Sequence, residues 1–551
     1  FNVYSFKTSI ISTKLYLRIT LLLTIYLLFI SLLTYLNVLQ QNFNFTFFVY
    51  FYLITFTILS RIFFIEILKI ILNFNKNKKN CLIYGAGWAG IHLSTQLTKF
   101  NIIGFIDDDQ RKLSQKTIND IKIYTNEKIK KLVSEHKVEI IFLAISKISY
   151  QRKKEIIDYL SQFNIECKVI PTLNELVNRN ISLKDYKNIN ISDLIKRNYI
   201  FNDFKIKKEI QNKIVLVTGA GGSIGSEMIY QLLKFNPKLI IALDNSEYNL
   251  YQLEQDIILK NQNPSNILFK LCDIRNLDNL DKIFKENNPE YVFHTAAYKH
   301  VPILEDNIIE AITNNFLAVI SLIDISIKYK IKNFLYISTD KAVRPTNIMG
   351  ATKRLSEIYI QSFFSEYKKN NNNNIKFAIV RFGNVIGSAG SVLPLFNKQI
   401  EKGGPLTITH PDIERFFMTI PEAVGLVLET ITLVSKGNIF VLDMGKPIKI
   451  VDLAKKFINL SGLEFRDQDN PSGDIEIKFI GLRPGEKLYE ELLIDDNYNK
   501  TSHENIFEAN EEKIQLDIIN KISINIKNEI LNNNEKNIPN LISKIVNAKF
   551  E

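Results

Sequence analysis

The stretch "KIVLVTGAGGSIGSEMIYQLL", residues 213–233, decides the fold of the larger part of this chain. An apolar strand runs into a cluster of glycines and small residues, and a helix follows at once. In this layout the backbone turns tightly and directs the N–H groups of a helix N-terminus at a phosphate. The next apolar strand, "LIIAL", ends at Asp244, where a carboxylate can accept hydrogen bonds from an adenosine ribose. The pattern predicts a doubly wound parallel sheet that binds a dinucleotide.

Later strand ends extend this interpretation. "ILFKLCDIR" places Asp273 and Ile274 where the strand order predicts the adenine, and "YVFHTAA" places small residues where a cofactor approaches closely. Because a carboxylate at Asp244 repels a 2′-phosphate and no arginine immediately follows it, NAD is favoured over NADP. The alternative is an α/β domain whose glycines serve only as turns. The residues expected to contact the cofactor are Gly219, Gly222, Ser223, Ile224, Gly225, Asp244, Asp273, Ile274, Ala296, Ala297 and Lys353.

A second strand–glycine–helix unit lies upstream, in "CLIYGAGWAGIHLSTQL". Gly85, Gly87 and Gly90 follow an apolar strand, and the next strand, "IIGFI", leads to Asp107. The layout predicts another Rossmann-like unit, although no catalytic constellation accompanies it. Nucleotide binding and simple packing explain these glycines equally well, since a lone glycine motif is a weak signal.

Two apolar segments precede both units. Ile19–Leu39 contains no charged residue and is long enough to cross a bilayer, and Phe43–Ser60 is a slightly shorter second candidate. Lysines and arginines flank the pair, and the connector between the two segments has none. By the positive-inside rule, the pattern predicts a multi-pass anchor in the cytoplasmic (inner) membrane, with the rest of the chain in the cytoplasm. Buried core helices are the alternative, and a cleaved signal peptide fits less well.

Composition limits the remaining classes. The 551 residues carry a net charge of +11, but the basic residues are dispersed, without an arginine-rich arm or zinc-finger spacing. We therefore expect no nucleic-acid partner. The three widely spaced cysteines indicate neither a disulfide framework nor a metal site, and a reducing compartment suits them better.

The strip "STDKAVRPTNIMGATKR", residues 338–354, follows a predicted fifth strand. Its Met349 and Lys353 lie four positions apart and face the same side of a helix. The spacing is that of a Tyr-x-x-x-Lys active-site pair, but a thioether cannot accept a proton usefully. Three interpretations of the strip are open at this point: an inactive enzyme, a chance resemblance, or an active enzyme whose base is another residue. Taken alone, the two residues suggest only a core methionine and a solvated lysine.

Five ordered strips resemble one family: "TGAGGSIGSE", "HTAAYKHVPILE", "STDKAVRPTNIMGATKR", "VRFGNVIGSAGSVLPLF" and "GLRPGEKLYEELL". Over residues 201 to 500 the chain resembles the membrane-associated nucleotide-sugar 4,6-dehydratases of polysaccharide biosynthesis, which are extended short-chain dehydrogenases. The upstream segments are similar to the long, membrane-anchored branch, which usually has four spanning helices and carries methionine in place of the tyrosine. The resemblance implies that Met349 does not signal inactivity.

The resemblance also implies a reaction. Hydride leaves C4 of a UDP-sugar, with UDP-N-acetylglucosamine the family-based choice, water leaves from C5 and C6, and the hydride returns to C6. Asp340 would be the acid for the C6 oxygen and Lys341 the base for the C5 proton, which requires a raised and a depressed pKa respectively. We expect the chain to leave the strand at Thr339, so that both side chains reach the sugar. We favour Asp340 as the C4 base, with Thr339 orienting the C4 oxygen and Lys353 giving electrostatic support.

Lys299, Asn384, Arg415 and Arg483 are the residues expected to bind the nucleotide sugar, although any one of these charges alone is more typical of a solvated surface. The expected organisation is α/β: a transmembrane hairpin over 1–75, a Rossmann-like domain over 76–200, an extended short-chain dehydrogenase domain with a small C-terminal substrate lobe over 201–500, and a helical tail over 501–551. We expect a homo-oligomer. A nucleotide-sugar 4-epimerase and a non-catalytic, nucleotide-sensing membrane scaffold are the alternative functions.

Overall fold

A computed structural model describes most of the chain beyond residue 77. The described residues are 78–114, 116–145, 150–163, 165–169, 187–188, 203–260, 264–370, 375–388, 390–433, 438–495 and 497–546, with single residues between 25 and 63. The chain divides into two compact units, Phe1–Lys79 and Asn80–Glu551. Most of the predicted transmembrane hairpin lies outside the described residues.

The described residues of the first unit are mostly helical and apolar. Their large side chains are exposed, from 52% at Ile25 to 84% at Tyr35. Of the residues that the structure describes, one helical run, Ile308–Lys328, is long and apolar enough to cross a bilayer. Phe316 and Leu322 of that run are buried in the core of the second unit, so it is a core helix.

The strands of the second unit are short and apolar. In chain order they are β1 (Lys79–Tyr84), β2 (Phe100–Ile106), β3 (Thr117–Ile118), β4 (Ile121–Tyr124), β5 (Ile140–Leu143), β6 (Glu166–Val169), β7 (Lys187–Asn188), β8 (Ile214–Thr218), β9 (Leu239–Asp244), β10 (Ile267–Leu271), β11 (Tyr291–His294), β12 (Asn333–Ile337), β13 (Lys376–Arg381), β14 (Asn384–Ile386), β15 (Leu406–Ile408), β16 (Glu414–Arg415), β17 (Phe417–Thr419), β18 (Ile439–Leu442), β19 (Ile448–Lys449), β20 (Phe465–Arg466), β21 (Ile475–Phe479), β22 (Tyr498–Lys500) and β23 (Ile506–Ala509).

Helices alternate with these strands, as both glycine units predict. They are α1 (Trp88–Gln96), α2 (Gln110–Leu113), α3 (Ile129–His136), α4 (Tyr150–Leu160), α5 (Asp203–Ile210), α6 (Ser223–Leu233), α7 (Glu247–Leu259), α8 (Leu277–Asn287), α9 (Val301–Glu305), α10 (Ile308–Ile312), α11 (Ala318–Lys328), α12 (Ile348–Asn370), α13 (Val392–Glu401), α14 (Ile420–Leu433), α15 (Ile450–Leu460), α16 (Leu516–Leu531) and α17 (Ile538–Val546). A π-helical turn, Thr313–Leu317, joins α10 to α11.

Two large sheets carry the fold. The first has seven strands in the order β3-β4-β2-β1-β5-β6-β7, and the second has nine in the order β10-β9-β8-β11-β12-β13-β18-β23-β22. In the second sheet the strands from β10 to β18 are parallel, and β23 and β22 join antiparallel at one edge. In a sheet of this kind the strand order reverses beside β8, and ligands bind where the strands end.

The C-terminal region differs from the predicted helical tail over 501–551. Strand β23 pairs with β18 inside the larger sheet, so the predicted boundary at residue 501 cuts through that sheet. Ile519 of α16 and Ile538 of α17 are fully buried in the same core as the parallel strands. The helices were expected, but their burial depends on contacts with residues far away in the chain.

The predicted substrate lobe contains a small sheet, β15-β21-β20, flanked by α13 and α15. Its buried Phe396 and Leu406 belong to one apolar cluster with Leu82 and Ile141 of the first Rossmann-like region. Lys456 of α15 also donates to Asp158 of α4 at 2.8 Å. The first Rossmann-like region therefore shares a core with the lobe.

Candidate active site

Two glycines of the loop after β8 have no room for a side chain. Gly219 has φ +65°, and a Cβ atom there would lie 2.7 Å from Cα of Ala296; at Gly225 it would lie 2.1 Å from the Gly219 carbonyl oxygen. Helix α6 begins directly after Gly222. Gly219 and Gly225 therefore cannot be replaced without moving the backbone. At the end of the loop the N-terminus of α6 presents backbone N–H groups, the arrangement that suits phosphate binding.

The acidic residue at the end of β9 lies beside this loop. Asp244 accepts hydrogen bonds from the N–H groups of Gly221 and Ser246, both at 2.9 Å. Asp273, at the next strand end, pairs with Arg275 at 2.7 Å, and the following Ile274 is buried in the core. Asp244 therefore fixes the loop, and the Asp273 carboxylate is neutralised by a guanidinium.

The upstream glycine unit repeats this arrangement. Asp107 accepts from the N–H of Ala86 at 2.7 Å and from that of Asp109 at 3.0 Å. A Cβ atom at Gly90 would lie 1.9 Å from the Gly85 carbonyl oxygen, so the turn requires glycine. The upstream unit and the unit after β8 therefore share the same glycine turn, held by an aspartate at the end of the next strand. Asp107 also forms an ion pair with Lys112 at 2.8 Å.

The chain leaves the sheet where the sequence predicts. Strand β12 ends at Ile337, and a 3₁₀ turn, Asp340–Ala342, begins after an extended Thr339. The Thr339 hydroxyl donates to Asp340 Oδ1 at 2.8 Å, and Lys341 Nζ donates to the same oxygen at 3.0 Å. Adjacent residues on a regular strand would point to opposite faces, so the turn is what brings Asp340 and Lys341 together.

Lys341 lies between acceptors. Its side chain is 20% exposed, with Nζ 3.2 Å from Asn384 Oδ1 and 3.6 Å from Glu490 Oε1. Burial alone would lower the pKa of Lys341, but the charges of Asp340 and Glu490 outweigh it and raise that pKa above its ordinary value. With these neighbours the pKa of Lys341 lies on the opposite side of its ordinary value from the depressed pKa that a base at C5 requires at some stage of the reaction. The reason is a second carboxylate that the sequence interpretation did not place here.

That second carboxylate, Glu490, is the functional candidate missed at the sequence level. Its side chain is 3% exposed, and among the described residues its Oε2 has no hydrogen-bond partner. Burial raises the pKa of Glu490. The strip "GLRPGEKLYEELL" contains it, but Glu490 and Glu491 are indistinguishable by local pattern. The structure buries the first and leaves the second exposed enough to pair with Arg344.

One segment distant in sequence, residues 343–347, holds the strip that carries Glu490 in place. The carbonyl of Gly485 accepts from Thr346 Oγ1 at 2.8 Å and from Asn347 Nδ2 at 3.0 Å. Lys487 Nζ donates to the Val343 carbonyl at 2.9 Å. The strip that carries Glu490 is therefore fastened to the loop between Lys341 and α12.

The expected substrate-binding residues are divided. Asn384 lies against Lys341. Arg415 is buried, and its guanidinium donates to the carbonyls of Glu414 and Leu488 and to Glu486 Oε1 at 2.7, 3.2 and 3.1 Å. These three hydrogen bonds use part of the donor capacity of the guanidinium, and the role of Arg415 in binding pyrophosphate stays a prediction. Lys299 and Arg483 are exposed, and the backbone N–H of Arg483 donates to Glu486 Oε2 at 3.3 Å.

The lysine of the altered Tyr-x-x-x-Lys pair lies beneath the strand end. Lys353 Nζ donates to the Ile337 carbonyl at 2.8 Å and lies 4.3 Å from the centroid of the Tyr336 ring. Burial lowers the pKa of Lys353 to about 7. The ring of His294, whose Nδ1 lies 2.8 Å from Thr218 Oγ1, stacks against the Tyr336 ring. The role of Lys353 as electrostatic support stays a prediction.

Met349 occupies the tyrosine position as a core side chain. It is 3% exposed and packs with Leu304, Ala311 and Ile348. This placement agrees with the interpretation that Met349 fills space and takes no part in proton transfer.

We expect Met349→Leu to leave turnover within about threefold, because the two side chains have similar volume and such swaps cost under ~1.5 kcal/mol. Turnover and thermal unfolding of the variant and of the neighbouring Ile348→Leu variant provide the measurement. A tenfold loss of turnover in Met349→Leu alone, with unchanged stability, would contradict a pure packing role.

Together, the glycine loop after β8 and the Asp–Lys pair after β12 define a Rossmann-type site of the short-chain dehydrogenase class. The model of a polysaccharide biosynthesis protein family matches residues 215–511, and that of a CoA-binding domain matches residues 1–171. The chain belongs to this polysaccharide biosynthesis protein family.

Curated relatives agree with this assignment. The chain is 40% identical to the capsular polysaccharide biosynthesis protein CapD of Staphylococcus aureus over 78% of this chain and 71% of that protein. It is 43% identical to an uncharacterized membrane protein of Methanocaldococcus jannaschii over 59% of this chain and 94% of that protein. It is 33% identical to a UDP-glucose 4-epimerase of Rickettsia rickettsii over 52% of this chain and 80% of that protein.

Proposed function

We propose that this protein is an NAD-dependent nucleotide-sugar 4,6-dehydratase that makes a 4-keto-6-deoxy sugar for a surface polysaccharide. UDP-N-acetylglucosamine is the proposed substrate. The observation that carries the proposal is the contact between Asp340 and Lys341 at the carboxyl end of β12, in the sheet whose β8 carries the glycine loop. An acid and an amine side by side suit the loss of water across two adjacent carbons.

The residues of the glycine loop fit NAD. Backbone N–H groups at Gly222 and Ser223 would hold its pyrophosphate, and Asp244 lies where an adenosine ribose would bind. When bound, NAD supplies a hydride acceptor for C4 and a hydride donor for C6, so that no external reductant is consumed.

Asp340 would serve twice in this reaction. It takes the C4 hydroxyl proton, with the Thr339 hydroxyl orienting the C4 oxygen, and it then gives that proton to the C6 oxygen as water leaves. Lys341 takes the C5 proton between these steps and returns a proton to C5 at the end. Asp340 therefore begins and ends each catalytic cycle as a carboxylate.

The second candidate function is nucleotide-sugar 4-epimerisation, which the similarity to the Rickettsia rickettsii protein favours. An epimerase needs the C4 step alone. It has no use for an acid and a base beside C5 and C6, so the Asp340–Lys341 contact supports the dehydratase over the epimerase. A scaffold that only senses nucleotides would have no use for either.

Incubation of the full chain with UDP-N-acetylglucosamine and NAD in deuterated water separates these functions. We expect a 4-keto-6-deoxy product that carries solvent deuterium at C5, detected by NMR and mass spectrometry, because Lys341 exchanges its protons with solvent. A C4 epimer without deuterium at C5 would indicate the epimerase. An unchanged sugar would contradict both enzymatic proposals.

We also propose that the first unit anchors the protein in the cytoplasmic membrane, with the catalytic region in the cytoplasm. Exposed apolar side chains on its helical residues, such as Phe29, Phe51 and Phe56, suit contact with lipid. The flanking lysines and arginines support this orientation.

The exposed Arg483 stays a candidate for binding the substrate pyrophosphate.

A further inference from the structure

Lys341 presents a problem for the proposed reaction. An amine can take the C5 proton only when it is uncharged, yet the carboxylates of Asp340 and Glu490 at 3.0 and 3.6 Å favour the ammonium form. The ammonium proton therefore needs a destination before the C5 step. Asp340 cannot provide one, because in the proposed reaction it already holds the C4 hydroxyl proton.

Glu490 is the carboxyl placed to receive that proton, since its Oε1 lies 3.6 Å from Lys341 Nζ and needs to approach by about 0.5 Å to form a hydrogen bond. Its Oε1 is the nearer oxygen to Lys341 Nζ, and its Oε2 has no hydrogen-bond partner among the described residues, although the side chain is almost fully buried. A buried carboxyl oxygen without a donor is costly while the group is ionised and costs less once it is protonated.

The groups around Glu490 permit either charge state. Lys341, Asp340, Arg415 and Lys487 are the charged groups that face it, with Arg415 Nε 4.0 Å from Oε1. Arg415 is also bonded to Glu486 at 3.1 Å, so its charge is shared. Burial raises the pKa of Glu490, and the nearby cations oppose that effect in part.

We propose that Glu490 holds the proton of Lys341 while Lys341 acts as the C5 base, an inference that rests on the proposed dehydratase function. One N–H bond breaks and one O–H bond forms, so an ammonium and a carboxylate become an amine and a carboxylic acid without a change in net charge. Lys341 then takes the C5 proton, later returns a proton to C5, and finally recovers its own from Glu490. Glu490 acts through Lys341 and is a positioning residue.

The test compares Glu490→Gln, whose amide cannot take a proton, with Glu491→Gln, a change at the exposed neighbour that pairs with Arg344. The full chain is mixed with UDP-N-acetylglucosamine and NAD at pH values from 6 to 10. The absorbance of reduced nicotinamide follows C4 oxidation in the first turnover, and NMR follows the 4-keto-6-deoxy product. Thermal unfolding reports whether each variant is folded.

For Glu490→Gln we expect C4 oxidation within about threefold of the parent and product formation about 10²-fold slower at pH 7, the size of an ordinary general acid–base effect. The product rate of this variant should rise about tenfold per pH unit, since Lys341 must now lose its proton to water. Glu490→Asp should recover most of the rate, and Glu491→Gln should match the parent.

A product rate of Glu490→Gln within threefold of the parent at pH 7 would overturn the inference. An equal loss of C4 oxidation and of product formation in Glu490→Gln, with an unchanged pH profile, would also overturn it, because that result indicates a structural role. If Glu490→Gln does not fold, Glu490→Asp decides, since a retained carboxyl must then keep the parental pH profile. A parent that leaves the sugar unchanged would instead overturn the proposed function itself.

Discussion

Asp340→Asn should lower the rate of 4-keto-6-deoxy sugar formation by about 10³-fold or more, because a single general acid–base group contributes 10²–10⁴ and Asp340 would act at both C4 and C6. The side chain is fully buried, and the change keeps its shape. The amide can neither take the C4 proton nor deliver one to the C6 oxygen. The single-turnover absorbance of reduced nicotinamide should show that C4 oxidation is slowed, and NMR should show that product formation is slowed with it.

The exposed Asp306→Asn is a suitable control, since it removes a carboxylate outside the site, and it should keep parental turnover. Normal C4 oxidation in Asp340→Asn, with elimination alone blocked, would show that another group takes the C4 proton. Asp340 would then be the C6 acid only, and the double role would be wrong.

A buried cluster of ions beneath the site should decide stability. Arg381 is fully buried and bonds Glu357 at 2.6 Å and Glu511 at 2.6 Å. Arg354 contacts the same two glutamates, and Ser338 donates to Glu357 at 2.6 Å. The cluster joins β13, α12 and the segment after β23 to Ser338, which follows β12 and lies two residues before Asp340.

Glu511→Gln should destabilise the protein by about 3–5 kcal/mol, because it leaves an uncompensated charge on two buried arginines. For a unit of this size, about 470 residues, that loss corresponds to a fall in Tm of roughly 3–5 °C. Scanning calorimetry or a thermal fluorescence scan of the full chain gives the measurement. The adjacent, exposed Glu512→Gln should change Tm by no more than about 1 °C, and an equally small change in Glu511→Gln would contradict the argument.

The same cluster makes the stability of the folded protein depend on pH. Burial of Glu357 would raise its pKa, but the charges of Arg381 and Arg354 outweigh burial and hold that pKa below its ordinary value. The stabilisation is therefore complete above the ordinary pKa of a glutamate and is lost as the pH falls through the lowered value.

Local pattern was sufficient for the parts of the protein that depend on neighbours in sequence. Glycine spacing after an apolar strand predicts the loops at Gly219 and Gly85, because only a residue without a side chain fits turns so close to other backbone. A thioether has no usable basicity in any fold, so Met349 could be set aside as a base from its chemistry alone.

Tertiary structure alone decided the ionisation and surroundings of the site. Asp340 and Lys341 are adjacent in the chain, but Glu490 reaches Lys341 only because the strip around Gly485 is bonded to Thr346 and Asn347. The partners of the Arg415 guanidinium, Leu488 and Glu486, likewise lie about 70 residues away in the chain. Hydrogen bonds and charges act through space, over a few ångströms, and the residues that supply them lie far apart in sequence. Periodicity and motif spacing record which side chains share a face, whereas the pKa of a buried group depends on which distant carboxylates the fold brings beside it.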